Sequence, residues 1–302
     1  MPRFRPDGSP NGLRFQRLKD KLGNRSNASA EVEFAEALAW SVGEEGRGAR
    51  TILGMVQLTR VDCAIASAGL MRMALAQALH HVRHRTVFQK HLADQPMMRM
   101  VLADMALDSE AAVALVMRLA RSFDLADSEP VEAARARLLT PVVKYWVCKI
   151  APAFIYEAME CLGGNGYVED GVLARLYREA PANAIWEGSG NVMCFDVLRA
   201  LARETEAHDV LAALHAQCRG LPGATDALAS FGQTLAAPDA EARARAVVER
   251  LALLAAAAAL RESAPEVATM FARARLAAPR GPTYGSAAPD GVTFLLERAL
   301  AA

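Results

Sequence analysis

One glutamate of this sequence is placed where it could act as a general base. Glu187 follows two apolar residues, Ile185 and Trp186, and precedes the segment 188–191, which reads G-S-G-N. Apolar neighbours exclude water from a carboxylate, and desolvation raises a carboxyl pKa toward the range in which a base works near neutral pH. The alternative is an ordinary helix N-cap with a surface glutamate, and the spacing alone does not separate the two interpretations.

The residues after Glu187 could hold a phosphate or another electron-rich group. Ser189 and Asn191 stand at the predicted start of a helix, where free N–H groups attract such groups. Gly188 and Gly190 lack a side chain, so a ligand could approach the backbone closely. The segment therefore predicts a ligand site next to the candidate base.

A second segment combines cations, an aromatic ring and amides. Residues 83–90 read R-H-R-T-V-F-Q-K, and Gln95 follows. Arginine suits a pyrophosphate, phenylalanine can stack and glutamine can bind a polar edge, which together indicate a nucleotide. A solvated helix end is the alternative. No carboxylate or cysteine accompanies His80, His81 and His84, so we interpret them as surface histidines and predict no metal site.

A glycine-rich segment, residues 163–167, reads G-G-N-G-Y. It follows a predicted helix and lacks the G-x-G-x-x-G spacing of a dinucleotide-binding turn. Taken alone, it indicates a turn that ends the helix.

Long helices must position these segments. Apolar spacing predicts helices over about 51–85, 95–123, 130–162 and 189–215, which together form an α-helical bundle. We therefore divide the chain into three parts: a β segment over 1–46, the bundle over 47–218 and a helical extension over 219–302.

The first part contains short alternating stretches, 13–15 and 31–34, bounded by turn residues. Two or three strands cannot form a stable sheet alone, so we interpret residues 1–46 as part of a larger β-domain. Prolines punctuate the extension, in which we predict shorter helices, one of them over 240–262.

Composition excludes several classes of protein. The 302 residues carry 34 basic and 34 acidic side chains, which argues against a chain built to coat nucleic acid or an anionic membrane. Five widely spaced cysteines without a C-x-x-C pair indicate buried free thiols in a reducing compartment. The first residues have no apolar core typical of a secretory signal, and the longest apolar run, 251–260, is too short to span a membrane. We predict a soluble, cytoplasmic protein.

In their order and spacing, these segments resemble the C-terminal half of the acyl-CoA dehydrogenase family. The family's K-x-x-L-G-x-R-x segment, regarded as a strand that closes its β-domain, is matched at 19–26. Its glycine-rich entry to the first bundle helix is matched at 42–48. The R-x-x-F-G-K…Q flavin segment is matched from Arg85 to Gln95, with Gln89 in place of glycine. The Q-x-x-G-G-x-G-Y motif is matched at 160–167, with Glu160 in place of glutamine, and Y-E-G-T-x-x at 186–191. Within the family, the chain looks most like the AidB branch, which is associated with the adaptive response to DNA alkylation.

The resemblance implies an FAD-dependent oxidation of an acyl-CoA thioester. In that mechanism Glu187 is the base that removes the α-proton, and the β-hydrogen leaves as hydride to FAD. One subfamily places its base just before an arginine of the first bundle helix, but that position is Thr59, which cannot serve. The resemblance implies that Arg60, Trp186 and Gly188 lie on the acyl-CoA side. It implies FAD contacts for Arg85, Phe88, Gln95, Glu160, Gly163, Gly164, Ser189 and Asn191.

The first three of these flavin residues would act across a subunit interface of a homo-oligomer, a tetramer in this family. A carboxylate at Glu160 would repel pyrophosphate unless it is protonated or turned away. The electron acceptor and the acyl chain length stay open.

The resemblance also implies that a helical domain and most of a β-domain would precede this chain. We therefore expect a half-site with weak flavin binding. Two alternative functions remain. One is a DNA-associated alkylation-response protein. Its phosphate contacts would come from the extension, although from residue 201 onward ten basic residues face eleven acidic ones. The arginines that could line one face are Arg243, Arg245, Arg250, Arg273, Arg275 and Arg280. The other is a non-catalytic fragment that survives as an oligomerising bundle.

Overall fold

The computed structural model describes residues 1–278, 281, 283–286 and 289–300. The chain divides into two compact units, Met1–Leu58 and Thr59–Ala302. The described residues form eleven helices and four short strands. The strands are β1 (Leu13–Leu18), β2 (Ala30–Phe34), β3 (Thr86–Val87) and β4 (Lys90–His91).

Apart from β3 and β4, the regular structure of the bundle is helical. Its helices are α1 (Gly48–His84), α2 (Pro96–Leu125), α3 (Pro130–Leu162), α4 (Gly164–Tyr167), α5 (Val172–Ile185), α6 (Gly190–Arg203) and α7 (Thr205–Cys218). The extension adds α8 (Ala224–Ala236), α9 (Ala244–Ser263), α10 (Pro265–Ala272) and α11 (Val292–Leu300). A 3₁₀ turn occupies Leu92–Asp94, and a π turn, Arg273–Ala277, continues α10. The predicted fold class, a mainly α bundle with strands before it and a helical tail after it, is confirmed.

The first unit contains a two-stranded antiparallel hairpin in which Leu13 pairs with Phe34. The amide group of Asn11 fixes its base, because Nδ2 donates to the carbonyls of Pro2 and Leu38. The predicted strands at 13–15 and 31–34 are confirmed. The interpretation of residues 19–26 as a strand is wrong, because they lie in the loop between β1 and β2.

Helix α3 is the centre of the second unit. It packs against α2, α5, α6 and α9, and its Trp146 ring meets the ring of Phe271 edge-on at 6.4 Å. Among the described helices, α3 alone has the length and hydropathy to cross a membrane, but 78% of its most apolar window is buried inside the protein. That burial is typical of the core helix of a folded bundle.

The structure corrects two helix predictions. The helix predicted over 189–215 is two helices, α6 and α7, which meet at Glu204 in an extended conformation. Helix α5, which contains Pro181, was not predicted. Its last residue, Ile185, lies two positions before the candidate base, Glu187.

All five cysteines are buried free thiols, as predicted. Burial raises the pKa of Cys148 and of Cys161 to about 12. Burial also raises the pKa of Cys194 and of Cys218 to about 11. These thiols are therefore protonated at neutral pH and belong to the packed interior.

Candidate active site

The loop between α5 and α6 has an unusual backbone. Trp186 is extended (φ −70°, ψ 163°), whereas Glu187 and Gly188 both lie at positive φ, 58° and 106°. At φ 106° any side chain at Gly188 would be strained, and a Cβ atom there would also displace the Cε atom of Met193, 2.7 Å away. A non-glycine residue held at positive φ costs about 1–3 kcal/mol, so the surrounding structure must impose the conformation of Glu187.

Two buried cations bind this loop through three successive carbonyl groups. Arg60 of α1 donates from Nε to the Glu187 carbonyl at 3.0 Å. Lys144 of α3 donates from Nζ to the Trp186 carbonyl at 2.8 Å and also to the Gly188 carbonyl. Backbone oxygens that the end of α5 leaves without helical partners are thereby satisfied.

Arg60 is itself held by a carboxylate. Its Nη1 binds Asp196 of α6 at 2.8 Å, and Arg137 binds the other Asp196 oxygen at 3.0 Å. Arg137 also reaches Glu204 at 3.2 Å, the residue at which α6 and α7 meet. Arg60, expected on the substrate side, is buried instead and faces the loop backbone and Asp196. Its two partners make it a support for the Glu187 loop.

Lys144 is the most deeply buried cation next to the loop, with 1% of its surface exposed. Burial lowers its pKa from the usual range, and Arg60 adds to the lowering, whereas Cys148, Cys63 and Glu187 oppose it. Burial also raises the pKa of the Cys63 thiol, which the Trp186 side chain partly offsets by a hydrogen bond.

The side chain of Glu187 is half-buried. Ile185 is 67% exposed and Trp186 40% exposed, so these residues do not form the apolar enclosure that the sequence predicts. Within the described part of the chain, no hydrogen bond is made to the Glu187 carboxylate. A fixed backbone therefore presents a carboxylate that is available to a ligand, which is an arrangement suited to a base.

The start of α6 lies directly after this loop, as predicted. Ser189 occupies the N-cap position without a side-chain hydrogen bond to the helix. Asn191 is exposed, and its Oδ1 accepts a hydrogen bond of 2.9 Å from Nε of Arg245 in α9. Gly190 packs closely on the Tyr145 ring, from which a Cβ would stand 3.4 Å. The uncapped first turn leaves N–H donors available for an anionic group.

The segment after α1 forms a tight hairpin. β3 and β4 pair antiparallel, and the two residues between them, Phe88 and Gln89, have φ of 51° and 64°. Two central residues at positive φ are characteristic of the hairpin turn that favours glycine, which explains why glycine is usual where this chain has Gln89. Phe88 is 90% exposed at the tip of this hairpin. The Gln95 side chain donates a hydrogen bond of 3.4 Å to the carbonyl of Val87 in β3. Arg85, also exposed, precedes β3.

The third group of predicted cofactor residues lies at the end of α3. Glu160 is exposed, and Tyr156 donates a hydrogen bond of 3.2 Å to its Oε1. Gly163 ends the helix at φ 61°, and Gly164 begins the single turn of α4. Gly166 is required by packing, because a Cβ there would lie 2.3 Å from the Met159 carbonyl oxygen. The glycine-rich segment ends a helix, as its sequence predicts.

These three groups do not form one compact site within a single chain. At 1.5 Å per residue, the end of α1 at His84 lies about 36 Å along the helix from Arg60. Glu160 lies about 24 Å along α3 from Lys144. No hydrogen bond, ion pair or ring contact of the described residues joins Arg85, Phe88 or Gln95 to the Glu187 loop. Of the eight residues for which the resemblance implies FAD contacts, Ser189 and Asn191 are the two that lie next to Glu187.

Among the described residues, no group of three or more histidine, cysteine, aspartate or glutamate side chains could hold a metal ion. The ring centroids of His80 and His84 lie 4.6 Å apart, with the ring planes tilted by 41°.

Comparison with known proteins identifies the family. The model of the acyl-CoA dehydrogenase C-terminal domain matches residues 46–202, more than half of the chain. The chain belongs to the acyl-CoA dehydrogenase family. Glu187, the two cations that hold its loop and the hairpin after α1 all lie inside the matched range.

Individual members of the acyl-CoA dehydrogenase family agree with this assignment. The chain is 47% identical over 279 residues to AidB of Escherichia coli (strain K12). The aligned region covers 91% of this chain and 51% of that protein. The expected likeness to the AidB branch is thereby confirmed. The crystal structure of Caenorhabditis elegans ACDH-11 in complex with C11-CoA matches 97% of this chain and 55% of that chain, at TM-score 0.83 and 28% identity.

An acyl-CoA dehydrogenase from Bacillus anthracis, solved in complex with FAD, shares the fold at TM-score 0.68 and 15% identity. It covers 98% of this chain, and this chain covers 57% of it. The chain therefore spans about half the length of these relatives.

The DNA-binding alternative predicts that six arginines of the extension line one phosphate-binding face. The structure contradicts this prediction in part. Arg275 is fully buried between Asp104 and Asp108 of α2, with its Nε 2.9 Å from Asp108, and cannot meet a phosphate. Arg273 pairs with Asp290, and Arg243 with Asp239 at 2.8 Å. Arg245 binds Asn191, Arg250 is partly buried, and Arg280 lies outside the described residues.

Sequence reasoning missed Lys144, Arg137 and Asp196. Lys144 and Arg137 bind groups more than forty residues away, and the partners of Lys144 are backbone carbonyls, which leave no pattern in a sequence. One signal was present, because Lys144 interrupts an apolar run on the core helix, where a charged residue needs a specific partner.

Proposed function

We propose that this chain forms the catalytic half of an FAD-dependent acyl-CoA dehydrogenase in which Glu187 is the base. The observation that carries the proposal is the Glu187 loop, where two buried cations hold a glutamate at φ 58° with its carboxylate unoccupied by protein donors. Family membership supports the substrate class, an acyl-CoA thioester.

The chain's own residues would perform the proton transfer. Glu187 would take the α-proton of the thioester onto its carboxylate, while Arg60 and Lys144 keep its backbone fixed. FAD, when bound, would supply the acceptor for the hydride that leaves the β-carbon. Trp186 and Gly188 flank the base, so an acyl chain beside Glu187 would meet both residues.

The structure offers surfaces that fit FAD in two places. The uncapped start of α6, with Ser189 and Asn191, can receive an electron-rich part of the cofactor next to Glu187. The exposed ring of Phe88, with Arg85 and Gln95 beside it, can receive a nucleotide far from Glu187. Because about 36 Å of helix separates Arg60, which binds the Glu187 loop, from the end of α1 before the hairpin, we propose that the hairpin serves a second copy of the chain.

Glu160 lies beside Gly163 and Gly164, about 24 Å along α3 from Lys144. Its carboxylate is accessible, so the repulsion of a pyrophosphate expected from the sequence still applies unless the carboxylate is protonated on binding. We propose that this end of α3 also serves the second copy, within the homotetramer that the resemblance implies. The cytoplasmic location stays a prediction.

Glu187→Gln tests the assignment. A neutral amide of the same shape cannot take the proton, so the loss of a general base lowers the rate by about 10²–10⁴-fold. We expect octanoyl-CoA to bleach the flavin absorbance of the FAD-loaded protein and to leave that of Glu187→Gln unchanged on the same time scale. The measurement is anaerobic stopped-flow absorbance.

Glu206→Gln is the matched control, because Glu206 is an exposed glutamate of α7. It should behave as the unmodified protein. Bleaching of Glu187→Gln at the unmodified rate would refute the base. A chain that takes up no FAD, alone or joined to the N-terminal half of the E. coli relative, would favour the non-catalytic oligomerising fragment.

A further inference from the structure

Lys144 occupies a position that is costly for a lysine. It lies in the middle of α3 with 1% of its surface exposed, among the largest fully buried side chains of the protein. Lysine is almost never fully buried unless its charge is bound by specific partners. Within the described residues it forms no ion pair with a carboxylate, so its partners must be sought among dipoles.

Those partners all belong to the Glu187 loop. The Lys144 ammonium donates to the carbonyls of Trp186 and Gly188, the residues on either side of Glu187. An ammonium group carries three donors, and two of them are used here on one short segment. Arg60 takes the carbonyl between them, so the loop is bound at three consecutive peptide groups from two helices.

This geometry determines where the Glu187 carboxylate can be. Trp186 and Gly188 are fixed through their carbonyls, and Glu187 between them is therefore held at positive φ. Without Lys144, both peptide groups could rotate, and the side chain of Glu187 would move with them. A displacement of about 1 Å between a reacting group and its substrate can lower a rate about 10²-fold.

We infer that Lys144 is a positioning residue for Glu187, acting through the backbone carbonyls of Trp186 and Gly188. The inference rests on the proposed function for its consequence in catalysis, but its structural part stands on the loop alone. A positioning residue affects the chemical step more than the binding of substrate.

The structural part is tested on the chain alone by hydrogen–deuterium exchange of the peptides that cover residues 184–192. Lys144→Met keeps the apolar stem and removes the donors, and we expect exchange there to rise about tenfold or more. Lys149→Met is the matched control, since Lys149 is an exposed lysine one turn further along α3. Unchanged exchange in Lys144→Met would overturn the inference, and so would an equal rise in Lys149→Met.

Peptides from α2 and α9 separate a local effect from general unfolding, and we expect their exchange to stay unchanged. Should Lys144→Met unfold globally, Lys144→Gln provides the second variant. Its amide can donate to one of the two carbonyls, so exchange in 184–192 should lie between those of the unmodified protein and of a protein with a free loop. Protection equal to that of the unmodified protein in Lys144→Gln would contradict a need for both donors.

The catalytic part is tested with the FAD-loaded protein and octanoyl-CoA. We expect Lys144→Met to lower the limiting rate of flavin reduction about tenfold or more, with the Kd for octanoyl-CoA changed less than about threefold. An unchanged rate of flavin reduction in Lys144→Met, together with no reduction in Glu187→Gln, would overturn this inference. The assignment of Glu187 as the base would then still stand. A normal rate in Glu187→Gln would refute the base, while the exchange experiment still decides the role of Lys144 in the loop.

Discussion

Glu187, Phe88 and Gln89 share a left-handed backbone, with φ between 51° and 64°. None of them is a glycine or an asparagine, the residues that adopt this conformation most easily. All three lie in segments that the sequence singled out for chemistry. Backbone strain of this kind collects at functional sites, where surrounding structure imposes it.

The sequence singles out Glu187 as the candidate base, but its backbone conformation was not predictable. Glu187 stood out because of its immediate neighbours in the sequence. Its backbone conformation depends on Arg60 and Lys144, which precede it by 127 and 43 positions. Interactions of a side chain with a distant backbone carbonyl involve no particular residue type at the acceptor, so no sequence pattern reports them.

Glu132 is a second carboxylate whose properties depend on its partners. Its pKa lies at about 2, below the usual 4.5, mainly because Arg118 donates hydrogen bonds to it. Burial opposes this effect, while the Ser122 hydroxyl, at 2.6 Å, adds to it. The folded state therefore holds this proton less tightly than the unfolded chain does.

The sign of the pH dependence follows from that lowered pKa. The stabilisation is complete above pH 4.5 and is lost as the pH falls from 4.5 toward 2. A shift of this size corresponds to about 3 kcal/mol. We expect Glu132→Gln to lower the free energy of unfolding by about that amount at pH 7, and the difference to shrink toward pH 3. Urea unfolding at several pH values measures it. Glu129→Gln, an exposed neighbour, should show no such trend, and a constant difference for Glu132→Gln would contradict the assignment.

At the scale of elements, helix ends were predictable where proline and glycine mark them. Helix α3 runs from Pro130 to Leu162, as predicted, because Pro130 suits a first helical turn and Gly163 ends the helix at positive φ. The break between α6 and α7 carries neither residue. It lies at Glu204, whose carboxylate binds Arg137 of α3, and a contact of that range is not visible in the local sequence.

One buried arginine of the extension binds two aspartates of the bundle. Arg275 lies between Asp104 and Asp108, while Tyr284 donates to Asp108 at 3.0 Å and the Gly285 N–H to Asp104 at 2.9 Å. The two aspartates raise the pKa of Arg275 even though burial lowers it, so the guanidinium stays charged. The core of α2 therefore depends on a residue 167 positions later in the chain.

Removing that guanidinium should be costly. Arg275→Met leaves two buried carboxylates without their cation, for which we expect a loss of about 3–5 kcal/mol in the free energy of unfolding. The control is Arg273→Met, two positions before Arg275, which removes an exposed ion pair with Asp290. It should lower the free energy of unfolding by less than about 1 kcal/mol. Calorimetric or urea unfolding compares the two variants. Equal losses of unfolding free energy in the two variants would show that the buried cluster stabilises the fold no more than the exposed ion pair does.

At the scale of the whole molecule, the loop of the candidate base and the candidate flavin hairpin adjoin α1 at two places about 36 Å apart along the helix. Helix α1 carries Arg60 beside the Glu187 loop and ends at His84, just before Arg85 and the exposed Phe88. Motif order in the sequence indicated both regions. The distance between them follows only from the helix being continuous and straight.

That separation gives a prediction for mixed oligomers. Arg85→Ala should lose FAD retention, and Glu187→Gln should keep FAD but lose flavin reduction by octanoyl-CoA. If each site combines one copy's base with another copy's hairpin, random mixing of the two variants restores roughly a quarter of the unmodified activity. The measurement is activity after joint refolding, with each variant refolded alone as the control. No recovery would place base and hairpin in the same site.

The length of α1 then has a consequence for inheritance. If the site is shared between copies, two damaged alleles of this gene, one altered near Arg85 and one at Glu187, would complement each other in the same cell, whereas two alleles altered in the same region would not. A genetic map of such pairs would then separate mutations near the hairpin from mutations near the Glu187 loop, and would test the shared site without a structure of the assembly.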